Sequence, residues 1–165
     1  MRVIDMVRVA ADTIRPHPQN WRSHPDGQRT ALRAMLREIG FADVLLGRRC
    51  RDEAGEEFIQ LLDGHLRREE MAGHEVPVVL LDLTDEEAAK LLITLDPLAA
   101  MSEADPGNLR ELMESIQTED EDVAGLVTLI AEQLDIIPAV EPEKNRPPKS
   151  ETQHECPACG YTWSK

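Results

Sequence analysis

The stretch FIQLLDGHLRR, residues 58–68, joins an apolar run to a short polar segment through an Asp-Gly step. Phe58–Leu62 has the length and composition of a buried strand. Gly64 lacks a Cβ, so the chain can turn there in a backbone conformation that other residues avoid. Residues 65–72 then predict a helix, which Gly73 ends. This stretch therefore predicts a strand–turn–helix unit from which the rest of the fold can be worked out.

The junction of this unit has features of a phosphate site. A helix start presents unpaired backbone N–H groups and a partial positive charge. Gly64 would let a ligand approach the backbone closely, and Arg67 and Arg68 could add charge-assisted hydrogen bonds to phosphate oxygens. The same pattern also fits an ordinary strand-to-helix turn with surface arginines. Both interpretations stay open at this point.

Outward from this unit, the pattern predicts an α/β fold: a small mixed sheet flanked by helices, in the order β-α-β-β-α-β-α. Helical spacing of apolar residues ends at Gly40, and Thr84 with Glu87 forms a capping box for a later helix. The remaining predicted strands are Met6–Ala10, Val44–Leu46 and Val76–Leu81.

Behind this domain the sequence predicts an acidic helical extension, because Asp96-Pro97 should end the preceding helix and Asp105-Pro106 should begin another. A proline-rich linker and a Cys-x-x-Cys tail follow. The predicted boundaries are 1–100 for the α/β domain, 101–137 for the extension, 138–153 for the linker and 154–165 for the tail.

The net charge of −14 is concentrated in the second half of the chain. Residues 1–82 carry 12 basic and 14 acidic side chains, whereas residues 83–143 carry 2 and 16. An acidic surface repels nucleic acid, so we expect DNA to be contacted indirectly or weakly and the acidic helices to bind a protein partner. Arg29, Arg33 and Arg37 form one stripe of the first predicted helix, as either a solvated face or a phosphate-facing one.

The sequence argues against a membrane-spanning, a secreted and a disulfide-rich protein. It has no uncharged apolar run of about 18 residues, so we expect no membrane span, and the N-terminus has no long apolar segment typical of a secretory signal. Three cysteines do not form a disulfide framework. We therefore expect a cytoplasmic protein.

Four landmarks in order over about residues 6–100 resemble the ParB-like N-terminal domain of the ParB/sulfiredoxin superfamily, especially the versions in phage and prophage proteins and at the front of some DNA methyltransferases. They are Asn20–His24, Leu36–Phe41, Leu62–Arg67 and Val76–Val79.

The resemblance implies a nucleoside triphosphate, CTP or ATP with Mg²⁺, in a DNA-associated system. It implies that Gly64, His65 and Arg67 hold phosphates, with Arg68 beside them. The segment Asn20–His24 would cover the nucleotide from the other side, through Asn20, Arg22, Ser23 and His24.

The chain departs from the family pattern in two places. Partitioning members have Gly-Glu-Arg-Arg where this chain has Gly64-His65-Leu66-Arg67, and their later Glu-Asn element is represented only by Leu95-Asp96-Pro97. These departures fit binding better than hydrolysis. Because Cys50 lies outside the turn, where sulfiredoxins keep a reactive cysteine, sulfiredoxin activity is not expected.

Two other functions stay open. Asp63 could bind Mg²⁺ and His65 could transfer protons, which would make the chain an NTPase, a ParB-like metal-dependent nuclease or a phosphotransferase. Asp63 could equally be a turn residue and His65 a helix-capping one, and the chain an adaptor with a vestigial pocket. His17, His24 and His74 are expected at the surface, without a catalytic role.

The tail contains half of a zinc-ribbon pattern. Cys156 and Cys159 have the spacing at which two thiolates reach one tetrahedral Zn²⁺, and His154 could be a third ligand. The fourth ligand is open; a symmetry mate could supply it, which would make the zinc a clip of a homodimer. A decayed or weak metal site is the alternative.

Overall fold

The computed structural model describes residues 1–136, 153–155 and 162–164. Cys156 and Cys159 lie outside these residues, so the predicted zinc site stays a prediction. The backbone around His154 forms a short strand, Gln153–Glu155, which pairs with Thr162–Ser164. None of the helices in the described residues is long and apolar enough to cross a lipid bilayer.

A four-stranded mixed sheet organises the chain. Its strands follow the order β1-β4-β2-β3; β1 and β3 pair with their neighbours antiparallel, and β2 runs parallel to β4. The α/β fold and its element order are confirmed. The elements are β1 (Val3–Ala10), α1 (Asp26–Glu38), β2 (Leu45–Arg51), β3 (Glu57–Asp63), α2 (His65–Glu70), β4 (Glu75–Leu81), α3 (Asp85–Ala100), α4 (Pro106–Ser115), α5 (Glu121–Gln133), β5 (Gln153–Glu155) and β6 (Thr162–Ser164).

Aliphatic side chains from one face of this sheet form the core. Val76, Val78 and Leu80 alternate along β4 and are fully buried, as expected for a strand with one covered face. Leu45 of β2 and Leu61 of β3 join them. This arrangement anchors the end of β3, and therefore the turn that follows it.

Helix α3 is longer than the sequence predicts. The capping box at Thr84 is present, but the helix continues through Pro97 to Ala100, so the expected break at Asp96-Pro97 is wrong. Proline removes one backbone donor and disfavours the preceding turn. The turn after it is nevertheless closed, because the N–H of Met101 donates to the carbonyl of Pro97 at 3.1 Å.

The arginine stripe of α1 is an exposed face, as one of its two interpretations has it, since the side chains of Arg33 and Arg37 are 57% and 54% exposed. Its arginines also form ion pairs with neighbouring helices. Arg29 and Arg33 pair with Glu70 at 2.9 and 2.6 Å, and so tie α1 to α2. Arg37 pairs with Asp120 and Asp122, both at 2.9 Å, and ties α1 to the start of α5.

The acidic extension divides into two parts. Helix α5 returns to the domain, where Val123 and Ala131 are buried. Helix α4 has no buried residue. The extension is therefore half docked, with one helix left exposed to solvent.

A cavity at the strand–turn–helix junction

A cavity of about 550 Å³ lies beside the turn between β3 and α2. Its walls come from this turn, from the segment Asn20–His24, from α1 and the loop after it, from one face of α3 and from Leu126 of α5. Elements far apart in sequence thus enclose the junction that the sequence predicts as a phosphate site.

Seven of the predicted site residues line this cavity: Asn20, Arg22, His24, Asp63, Gly64, His65 and Arg67. Ser23 and Arg68 are not among its lining residues. The Arg68 side chain points elsewhere, since its Nε donates to the carbonyl of Ile14 at 2.8 Å. Arg68 therefore supports the loop after β1 and is not placed to contact a ligand in the cavity.

The backbone of Gly64 requires glycine for two reasons. Its φ of +90° lies in the left-handed region that side chains disfavour. A Cβ at this position would also lie only 2.3 Å from Cδ2 of the fully buried Leu45. The turn is therefore pressed directly against the core.

Two carboxylates hold Arg67 at the cavity wall. Its Nη2 donates to Asp63 at 2.7 Å, and its Nη1 makes a short contact with Asp43. Its Nε is buried and has no hydrogen-bond partner. Sequence reasoning missed Asp43, which lies in the loop before β2 and carries no local signal of its role.

His65 is 8% exposed and is fixed as a hydrogen-bond acceptor. Its Nε2 accepts the backbone N–H of His17 at 3.3 Å, so Nε2 carries no proton in this arrangement. Burial lowers the pKa of His65, with a smaller opposing contribution from Asp63. The side chain therefore joins α2 to the loop after β1 as a neutral ring.

His17 is also buried, which corrects its expected place at the surface. Its Nδ1 accepts the backbone N–H of Gln19 at 3.1 Å, and burial lowers its pKa. A histidine between two prolines looks like a loop residue in sequence. Its burial follows from the contact with His65, 48 residues away.

We expect the stability of the domain to fall between pH 7.5 and pH 5.5. The folded-state pKa values of His17 and His65 lie below their ordinary values, so the unfolded chain binds more protons once the pH drops below about 6.5. Their contribution is complete above that pH and is lost as the pH falls toward the lowered pKa values. Urea unfolding at the two pH values measures the difference.

The matched variants for this test are His65→Gln and His74→Gln. His74 is exposed, so its replacement should leave the pH dependence unchanged. Loss of His65 should make it less steep, with the contribution of His17 remaining. An equally steep pH dependence in both variants and the wild type would show that His65 is not a source of it.

His24 offers an unpaired polar atom at the cavity wall. Its Nδ1 lies 3.0 Å from Oε1 of Gln28. Its Nε2 is buried and has no hydrogen-bond partner in the described part of the chain. The side chain is half-buried rather than at the surface as expected.

The segment Asn20–His24 is held against α3. Arg22 pairs with Asp96 at 2.7 Å and stacks on Trp21, whose Nε1 donates to the carbonyl of Leu92 at 3.3 Å. Asp96, which the sequence indicated as a helix break, therefore holds the segment Asn20–His24 in place over the cavity.

Charged and apolar side chains together line the cavity. Arg22 pairs with Asp96, and Arg67 pairs with Asp43 and Asp63. Apolar side chains of α1, α3 and α5 also line it. With neutral histidines, the lining carries a formal charge of −1, so an anionic ligand would have to displace carboxylates from the two arginines.

The residues present do not by themselves form a divalent-cation site. Asp63 and Asp43 are both engaged by Arg67. In residues 1–136 no group of three histidine, cysteine or acidic side chains is placed to hold a metal ion. The expected binding of Mg²⁺ by Asp63 therefore stays a prediction.

The sequence matches no protein-family model and no curated protein. The structure is similar to that of the C-terminally truncated chromosome-partitioning protein ParB from Caulobacter crescentus complexed with CTP-γ-S. The TM-score is 0.53 and the identity 20%, over 74% of this chain and 71% of that one.

Two further structures match at lower TM-scores. One is the same Caulobacter crescentus protein complexed to the centromeric parS site, at 0.40 and 18% identity over 78% of this chain and 70% of that one. The other is a Pnob8-like ParB-N domain, at 0.43 and 16% identity over 97% and 56%. The likeness to the first structure shows that this chain has a ParB-like fold, which confirms the resemblance seen in its sequence landmarks.

Proposed function

We propose that this chain is a ParB-like protein that binds a nucleoside triphosphate, CTP or ATP, in the cavity beside Gly64 and Arg67. The observation that carries the proposal is the cavity itself, which has Arg67 in its wall with a buried and unpaired Nε. Its volume of about 550 Å³ is in the range of small-molecule sites. The structure of a ParB protein with CTP-γ-S in the same fold supports it.

The lining suggests how the ligand would be held. Phosphates belong beside Gly64 and Arg67, where Arg67 can offer a planar fork of donors. A flat, less polar base belongs against the apolar side chains of α1, α3 and α5 that also line the cavity. The buried Nε2 of His24, which has no partner among the residues that the structure describes, would contact a polar group of the sugar or the base.

The direct test is isothermal titration of the full chain with CTP, ATP, GTP and UTP, each with and without Mg²⁺. We expect saturable binding at one site per chain for at least CTP or ATP. Absence of heat and of competition for all four nucleotides would overturn the proposal and leave the adaptor with a vestigial pocket.

Replacing Asp43 with Asn is expected to tighten nucleotide binding several-fold. The change removes a carboxylate that competes with phosphate for Arg67 and repels phosphate oxygens nearby. The increase should shrink at high salt, because added ions screen both effects. Titration of the variant and the wild type at two salt concentrations measures it.

Asp52→Asn is the control for Asp43→Asn. Asp52 pairs with Arg15 at 3.1 Å and does not line the cavity, so the same loss of charge should leave nucleotide affinity unchanged. Equal gains in both variants would indicate a general effect of net charge.

We further propose that the protein serves a DNA-associated system of phage or prophage type. The sequence landmarks and the ParB-like fold support an association with DNA. The excess of acidic groups in residues 83–143 favours contact with DNA through another protein. No feature of the described residues favours the nuclease or phosphotransferase alternative, because His65 is occupied by the N–H of His17.

A further inference from the structure

We propose that nucleotide binding takes up a proton from the solvent on His24, so that this side chain holds the ligand as an imidazolium. The inference rests on the proposed function and adds the protonation state in which the site binds its ligand. Two observations carry it: a buried ring nitrogen without a partner, and the balance of charges around the cavity.

His24 has one ring nitrogen that the chain leaves unsatisfied. Within the described residues, Nε2 is buried and makes no hydrogen bond, whereas Nδ1 lies 3.0 Å from Oε1 of Gln28. A buried polar atom without a partner destabilises the folded state until a partner is supplied. Because His24 lines the cavity, a ligand bound there can supply that partner.

The charges around the cavity favour a cation at this position. The ionisable groups that line it together with His24 are Arg22 on the same segment, Asp43 before β2, Asp63, His65 and Arg67 at the turn and on α2, and Asp96 on α3. With neutral histidines, three carboxylates outnumber two arginines before any ligand enters. A triphosphate adds further negative charge, and negative charge nearby favours the protonated form of a histidine.

The other ionisable groups of the lining are less suited to take up the proton. His65 already accepts the backbone N–H of His17 at 3.3 Å, and burial lowers its pKa. Asp43 and Asp63 are both engaged by Arg67. The proton would have to break one of these contacts, so none of these groups gains from it.

A proton on His24 breaks no contact that the structure shows. Histidine is the side chain whose ordinary pKa lies nearest to neutral pH. In the imidazolium, Nδ1–H donates to the amide oxygen of Gln28 and Nε2–H donates to an oxygen or a ring nitrogen of the sugar or the base. The ligand group at Nε2 is therefore a hydrogen-bond acceptor.

The test is isothermal titration of the full chain at pH 7, with the nucleotide that binds most tightly, in three buffers of different ionisation enthalpy. The dependence of the observed heat on the buffer gives the number of protons taken up per nucleotide. A terminal phosphate titrates in the same pH range, but its contribution is shared by the wild type and the variants. We expect His24→Asn and His24→Gln each to take up at least about 0.3 proton fewer than the wild type.

The affinities should show the same linkage. Because the complex binds more protons than the free chain, the ratio of wild-type to His24→Asn affinity should rise about threefold from pH 7.5 to pH 6.5, within the tenfold per pH unit that one proton allows. NMR of the histidine ring nitrogens tests the wild type without any substitution. Addition of nucleotide at pH 7 should move one ring toward the imidazolium form.

His74→Asn and Asp43→Asn are the controls. His74 is exposed and does not line the cavity, so its replacement should leave the proton uptake unchanged. The uptake should also persist in Asp43→Asn, and its loss there but not in His24→Asn would assign the proton to a carboxylate and overturn the inference.

Two further outcomes separate this inference from the proposed function. Nucleotide binding with equal proton uptake in the wild type and both His24 variants would overturn the inference and leave the proposed function in place. Absence of nucleotide binding by the wild type would overturn both.

Discussion

Arg67→Ala is expected to weaken nucleotide binding by at least tenfold. Hydrogen bonds to charged groups contribute about 1.5–3 kcal/mol each, and one such bond already corresponds to about tenfold or more. The loss should be larger than a single bond implies, because Asp43 and Asp63 would be left without their cation beside the phosphates. Titration with the nucleotide that binds the wild type most tightly measures it.

Two further variants make this test specific. Arg67→Lys keeps the charge but not the planar fork, so we expect an affinity between those of the wild type and Arg67→Ala. Arg51→Ala removes an arginine that pairs with Glu57 at the end of β2 and β3 away from the Gly64 turn, and it should bind as the wild type does. If Arg67→Ala and Arg51→Ala bind equally, the cavity is not the phosphate site.

Thermal unfolding of Arg67→Ala separates binding from folding. The Arg67 side chain is 25% exposed, and its partners Asp43 and Asp63 are 49% and 27% exposed, so both carboxylates keep access to water when the arginine is removed. We therefore expect a folded variant that binds poorly. A variant that binds poorly only because it is unfolded would show a lost unfolding transition instead.

Local sequence patterns were sufficient to predict the elements of this fold. Apolar runs, glycine stops and the capping box at Thr84 each act over a few residues, so their signals can be read without the tertiary structure. The strand–turn–helix unit at Gly64 is the clearest case, since its glycine has the left-handed backbone that the turn requires. The same local reasoning failed at Pro97. The N–H of Met101 donates to the carbonyl of Pro97, which closes the following turn, and the helix therefore continues.

Contacts between distant residues could not be predicted in this way. Arg37 meets Asp120 across 83 positions, and His17 meets His65 across 48. In sequence Arg37, Asp120 and His17 look like ordinary surface groups. Their partners are set by how α1, α2 and α5 pack, and therefore the ion pairs of the arginine stripe and the burial of His17 were both missed.

The candidate site combines both kinds of information. Gly64 and Arg67 follow from the physics of a helix start, whereas Asn20, Arg22 and His24 were indicated only by the resemblance to a family. The structure brings both groups to one cavity and adds Asp43, which neither source indicated. No sequence spacing identifies a carboxylate whose role is to hold an arginine in place.

Gly64→Ala should destabilise the domain by about 2–6 kcal/mol, the sum of backbone strain at a positive φ and of overpacking in a core. The added Cβ would lie 2.3 Å from Cδ2 of the fully buried Leu45, so that side chain would have to shift. For a domain with an unfolding free energy of about 5–15 kcal/mol, this is a large loss. Urea unfolding of the variant measures it.

Gly40→Ala separates the two contributions to the Gly64→Ala loss. Gly40 has a similar φ of +87°, but a Cβ there would meet no atom within 4 Å. Its replacement should therefore cost only the strain, about 1–3 kcal/mol. The additional loss of unfolding free energy in Gly64→Ala then measures the steric overlap with Leu45. Combining Gly64→Ala with Leu45→Ala should remove that additional loss. Equal losses for the two glycines would mean that the turn is not packed tightly against Leu45. The cavity wall formed by this turn would then be less rigid than the structure indicates.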